Sequence, residues 1–190
     1  SVENLNLIDQ GKVEIASVMS DALSQAINGE VSFKEKIESV STIATLYPNV
    51  VQIIAKADSG IKTIEDLKGK RVAVGDQNSG VEVNARTLLN GHGITYDDIK
   101  VDYLGYAAAA DGLSAGTIDA AFLTSGLPNA SVMELSQTLD ITLVSIDPKK
   151  VEEIAKEHPY FISYEIKPDV YKNKESIFTA AVPNALVVRK

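Results

Sequence analysis

The 190 residues contain no cysteine and no tryptophan, and only four phenylalanines and two methionines. Disulfide frameworks and thiol chemistry are therefore excluded, and the composition suits an oxidising compartment as well as a reducing one. Positive charge is also scarce. Eighteen lysines and arginines face 26 aspartates and glutamates, a net charge of -8 with a pI near 4.8. That balance argues against nucleic acid or an anionic membrane surface as a partner. No apolar run approaches the ~20 residues a membrane span needs, so direct insertion of this segment is not expected. Histidine is nearly absent. His92 lies between glycines and His158 precedes a proline, positions typical of exposed helix ends rather than general bases.

Catalysis is poorly provided for. No Gly-x-Ser-x-Gly elbow, no His-Glu-x-x-His and no clustered Asp/Glu/His pattern is present, so neither a hydrolase site nor a metal is indicated. No cofactor is expected. Acidic pairs such as Asp97-Asp98 and Glu152-Glu153 read as solvated helix ends or faces.

What the chain does have is 45% hydrophobic residues and a mean hydropathy of +0.02, enough for one large core or two small ones. The most organised stretch runs from Lys70 to Arg86. Val72–Val74 reads as a buried strand closed by Gly75. Apolar residues then recur at Val81, Ala85, Leu88 and Leu89, the spacing of one helix face. Ser79 or Asn78 can cap that helix. Strand, tight loop and helix N-terminus together aim free N–H groups at one point, where a carboxylate or phosphate would sit. An ordinary strand–helix junction has the same form. It is not a P-loop, because Val81-Glu82 stands where Lys-Ser/Thr is required. The G-x-G-x-x-G spacing of a dinucleotide site is absent too.

In chain order, a first helix runs from Ser1 as N-cap to Gly11, and a strand covers Val13–Met19. Ser20 and Asp21 cap a helix over Ala22–Asn28 that Gly29 terminates. Val40–Leu46 and Val50–Ala57 read as two strands broken by Tyr47-Pro48-Asn49. Thr63–Asp66 has capping-box form. Beyond the central helix come a strand at Val101–Leu104, a helix at Ala107–Leu113 and a strand at Ala120–Thr124 ending in Ser125-Gly126. A helix with Pro128 in its first turn, a strand at Ile141–Ile146 and a helix at Lys149–Glu157 opened by Asp147-Pro148 follow. An aromatic-rich loop, Tyr160–Tyr171, leads to a last strand, Phe178–Val188, interrupted at Pro183.

A shift of 105 residues aligns two segments, Ile8 with Leu113, Gly11 with Gly116, Glu14 with Asp119 and Ser20 with Ser125. Two similarly built lobes whose strand ends face each other would explain this, as would the shared grammar of helix–Gly–strand junctions. Ligands of open α/β sheets bind outside the carboxyl ends of strands. On that basis the cleft residues are Ser20, Asp21, Tyr47, Asn78, Ser79, Gly80, Val81, Thr124, Ser125 and Gly126. Their hydroxyls, amides and free N–H groups suit a small anionic solute.

These residues also carry a resemblance. Ser1-Val2-Glu3-Asn4-Leu5, Ser17-Val18-Met19-Ser20-Asp21, Leu46-Tyr47-Pro48, Asp66-Leu67-Lys68-Gly69-Lys70-Arg71-Val72-Ala73-Val74-Gly75, Asn78-Ser79-Gly80-Val81 and Gly116-Thr117-Ile118-Asp119-Ala120 fall in an order similar to the TAXI family, the extracytoplasmic solute-binding subunits of TRAP transporters. The resemblance covers the whole chain. It implies an α/β, two-lobed periplasmic-binding-protein-like fold of type II. Lobe I would comprise residues 1–70 with 181–190 and lobe II residues 71–180. Family members also carry a Gly-rich first strand–loop–helix and C-terminal helices, which these residues do not include. Val81 and Asn84 stand where threonines are common. The family implies capture of a glutamate- or 2-oxoglutarate-like acid by a monomer for a TRAP permease. It places the protein in the periplasm or lipid-anchored at the outer face of the cytoplasmic membrane. It implies a binding protein, not an enzyme. The rival readings are an enzyme on the same fold, with Asp21 its only evident acid–base group, or the sensing domain of a bacterial receptor.

Overall fold

The computed structural model describes all of residues 1–190. Two long strands organise it. Their sequences are rich in Val, Ile and Thr, whose branched side chains pack well on a pleated surface. Strand β2 spans Val40–Lys56 and strand β8 spans Ile177–Arg189, and they run antiparallel to each other. At one end, β8 is flanked by β1, Ile15–Met19, with Ile15 opposite Val188 and Met19 opposite Asn184. At the other end, β2 pairs with β5, Ala120–Ser125, and with β6, Ile141–Leu143. β7, Ile162–Ile166, lies along the first half of β8. β3, Arg71–Ala73, sits parallel between β5 and β4, Lys100–Asp102.

The crossing from one end to the other occurs at two prolines. Pro48 lies opposite Pro183, and the register slips between Thr45 and Pro48. Neither proline has an N–H to give, so the ladder carries no bond from either at this point. Side chains compensate. Asn49 Nδ2 donates to Asn184 Oδ1 at 2.9 Å, and Ser20 Oγ donates to the Pro183 carbonyl at 2.8 Å.

Helices cover the sheet. α1, Val2–Asp9, and α2, Ser20–Asn28, bury Leu5, Ile8, Ala22 and Ala26 against Val18 and Val187. On the larger side, α3, Gly80–Gly91, and α6, Pro148–Ala155, bury Leu88, Leu89 and Val151 with Val72 and Phe122. α4, Tyr106–Ala115, and α5, Ala130–Thr138, pack Leu113, Val132 and Leu135 on the opposite face with Ile54 and Leu123. Each fully buried Leu or Ile contributes about 1.5–3 kcal/mol.

Several expectations change. The strand pair broken at Tyr47-Pro48-Asn49 is one continuous β2, and Pro183 does not interrupt β8. β7 lies where a loop was expected. The α2 helix starts at Ser20 with no side-chain cap, and Asn129, not the Pro128 turn, caps α5 by accepting from Val132 N. Residues 50–70 pack on the larger side, where Val50–Ala55 pair with β5 and Ile61, Ile64 and Leu67 share a core with Val72. The 105-residue offset has a structural counterpart. α1 and α4 each run into a left-handed glycine, Gly11 at φ +70° and Gly116 at φ +75°, and then into β1 and β5.

Candidate ligand cleft

The loop after β3 is built by Gly75, whose φ of +92° places it in the left-handed region. A Cβ there would come within 2.7 Å of the Val81 Cβ, so only glycine lets the chain turn this tightly against α3. Ser79 then caps α3, accepting from Glu82 N at 3.2 Å. The amides of Gly80 and Val81 donate to nothing in the chain and face outward from the helix end. α4 begins the same way after β4, with Gly105 as its N-cap. Two helix N-termini, each carrying about half a positive charge, therefore meet outside the carboxyl ends of β3 and β4.

Between them lies a cavity of about 250 Å³. Gly75, Asp76, Ser79, Gly80, Val81, Gly105 and Tyr106 line one side, and Ser1 and Met19 close the other. Met19 reaches across at the end of β1, and a Cβ on Gly80 would lie 2.7 Å from its sulfur. Tyr106 donates its hydroxyl to the Thr124 carbonyl at 2.6 Å, tying the start of α4 to the end of β5. Burial pushes the Tyr106 pKa upward, with Asp76 adding to the effect, so the hydroxyl remains a donor. The Asp76 side chain is exposed and its carboxylate lies at the start of α4, with Oδ2 3.2 Å from where a Gly105 Cβ would stand.

A larger groove of about 640 Å³ runs between α2, α3 and α6, lined by Gln25, Asn28, Arg86, Asn90 and Glu157 among others. It follows the later turns of α2 and α3, where backbone carbonyls rather than N–H groups point outward. The smaller cavity is the better candidate for an anion. No group of three or more His, Asp or Glu side chains is placed to hold a metal ion.

A family model describing the NMT1-like family matches residues 1–190. The chain belongs to the NMT1-like family. Solved structures of periplasmic binding proteins share its fold. The aliphatic sulphonate binding protein SsuA from Escherichia coli superposes with a TM-score of 0.58 at 18% identity, covering 83% of this chain and 54% of its own. A putative sulfonate-binding SsuA from Methylobacillus flagellatus KT gives 0.61 at 16%, covering 98% and 45%. Arginine-bound truncated ArgBP from T. maritima gives 0.54 at 16%, covering 98% and 64%. These likenesses show the fold. The chain spans about half the length of the two SsuA structures.

Of the ten residues expected in the cleft, Ser79, Gly80 and Val81 line the cavity. Asn78 sits beside them in the turn, at φ +62°. Thr124 is buried behind Tyr106, its own hydroxyl without a partner. The Ser125 hydroxyl is occupied, accepting from Gln52 and Asn129 at 3.1 Å each and donating to the Gly126 carbonyl at 3.0 Å. Gly126 is exposed. The Ser20 hydroxyl is given to Pro183. Tyr47 is 63% exposed on β2 and does not line the cavity. Asp21 is fully buried, accepting from Ala22 N at 2.7 Å and from Asn84 Nδ2. Met19, Asp76, Gly105 and Tyr106 were not expected. The Gly105-Tyr106 pair follows a short strand just as Gly75 follows β3, and that repetition is the signal that could have revealed it.

Proposed function

We propose that this chain is the ligand-capturing part of an extracytoplasmic solute-binding protein of the TAXI type. It takes a small carboxylate, glutamate- or 2-oxoglutarate-like, and presents it to a TRAP-type membrane permease. The observation that supports this is the convergence of the α3 and α4 N-termini on one cavity faced from the opposite side by Met19. A carboxylate there accepts from the free amides of Gly80 and Val81 and gains from the α3 dipole, while Asp76 faces the α4 end. Asp76 at the rim offers a partner to an ammonium group, which favours glutamate over 2-oxoglutarate.

The lobes in this reading are residues 1–49 with 183–190, and residues 50–182, joined at Pro48 and Pro183. Closure brings Met19 onto Gly80 around the solute, and the closed state gains only what the ligand binds better there than in the open state. A thermal-shift panel of L-glutamate, 2-oxoglutarate, an alkanesulfonate, L-arginine and glucose tests the assignment. A shift with glutamate that exceeds the others is expected. A shift with glucose alone would remove the carboxylate reading, one with arginine alone would keep a carboxylate but remove the glutamate-like acid, and one with the alkanesulfonate alone would keep the anion but change its class.

A further inference from the structure

Asp21, in the first turn of α2, and Asn84, in α3, are both 0% exposed. Asn84 Nδ2 donates to Asp21 Oδ2, and no other hydrogen bond joins α2 to α3. Asp21 belongs to the smaller side of the molecule and Asn84 to the larger, so this buried pair spans the cleft. We propose that the Asp21–Asn84 pair is a proton-sensitive latch, which holds the two lobes together when Asp21 is protonated and loosens them when it is ionised. The proposal rests on the two-lobe reading above and adds a regulator to it.

The geometry favours a proton at this point. Asn84 Oδ1 has no partner, and neither has Gln25 Oε1 one turn further along α2. A buried acceptor without a donor is costly. The acid form of Asp21 carries a donor in this donor-poor interior, whereas the ionised form adds a buried charge whose partners are the neutral Ala22 and Asn84 amides. The surroundings do little to hold its charge. No lysine or arginine pairs with it, and the titratable side chain acting on it from the stretch after α6 is Tyr160, whose hydroxyl is hydrogen-bonded to His158 Nδ1 at 2.9 Å. On α3, Glu82 is committed to Arg86 and Tyr96. Burial accordingly pushes the Asp21 carboxyl from 3.8 up to about 6, against hydrogen bonds from Ala22 and Asn84 that hold it down.

The sign follows from linkage. With the lobes apart, Asp21 is hydrated and titrates in the ordinary carboxylate range. With them together it binds its proton more tightly. Closure is therefore favoured most at low pH, loses ground as pH rises from 3.8 to about 6, and is weakest above that. Those two values make the closing equilibrium about fourfold more favourable at pH 5.5 than at pH 8, and about tenfold more at pH 5.

The absence of cysteine makes the test direct. Spin labels at Asn6→Cys on α1 and Glu152→Cys on α6, both exposed positions, report the separation of the lobes by pulsed electron resonance with no ligand added. The expected result is a longer-distance population at pH 8 that falls about tenfold relative to the short one at pH 5. Asp21→Asn should give the short distance at both pH values, and Asn84→Ala should enlarge the long population at pH 8. A distribution in the parent protein that does not change with pH would overturn the latch. So would an Asp21→Asn protein that still responds to pH. If Asp21→Asn does not fold, the Asn84→Ala comparison decides alone. A separate titration with L-glutamate keeps the two ideas apart, since failure to bind would remove the carboxylate reading and leave the distance result standing.

Discussion

Gly75 and Gly80 stand five residues apart and resist side chains for different reasons. At Gly75 the backbone itself is left-handed and a new Cβ meets the Cβ of Val81, an atom that cannot move without the helix. Gly75→Ala should destabilise the protein by about 1–3 kcal/mol, seen as a lower urea midpoint with the slope unchanged. At Gly80 the backbone is ordinary, and the obstacle is the sulfur of Met19, the flexible end of a side chain. Gly80→Ala should leave the unfolding free energy within about 0.5 kcal/mol of the parent and weaken solute affinity instead, because Met19 can no longer seat against α3. Equal losses of stability in the two variants would contradict this division. At this scale the sequence was a partial guide. Ser79 as a cap was legible because capping depends on neighbours three residues away. The fate of Asp21 was not, because its partner Asn84 is 63 residues distant and no local pattern announces it. Ser20 and Ser125 were placed correctly at strand ends, yet their hydroxyls are spent on Pro183, Gln52 and Asn129.

At the scale of elements, α3 carries most of the site. Its cap is one hydroxyl, so Ser79→Ala should cost about 1 kcal/mol. The same change frees the Glu82 amide, leaving the donors at Gly80 and Val81 in place. Chemical denaturation should therefore register the loss more strongly than a binding titration does. The helix itself was legible from its apolar spacing, and so were the strands flanking it. The long strands were not read whole, since a proline in a strand signals an end. Here two prolines face each other, and the missing ladder bonds coincide instead of breaking two separate registers. β7 was missed for a related reason. Ile162–Ile166 is short, half exposed and bounded by aromatic and proline residues, and only its pairing with β8 makes it a strand.

For the whole molecule, this NMT1-like chain shares its fold with solved periplasmic binding proteins. The 105-residue offset left open two similarly built halves or the shared form of helix–glycine–strand junctions, and the structure has such a unit at α1–Gly11–β1 and at α4–Gly116–β5. The point of crossing was harder to see, because strand β2 is continuous through it and pairs on both sides. In the proposed mechanism that crossing is the hinge, Met19 against Gly80 is the closing contact and the α3 N-terminus in the cavity is the anion site. Calorimetric titration of the protein with L-glutamate, in parallel with Gly80→Val, tests this most directly. The account predicts saturable one-to-one heat in the parent and at least a tenfold weaker affinity in Gly80→Val, with the unfolding midpoint nearly unchanged. Equal affinity in the two proteins, or no heat with L-glutamate where a neutral solute saturates, would contradict it.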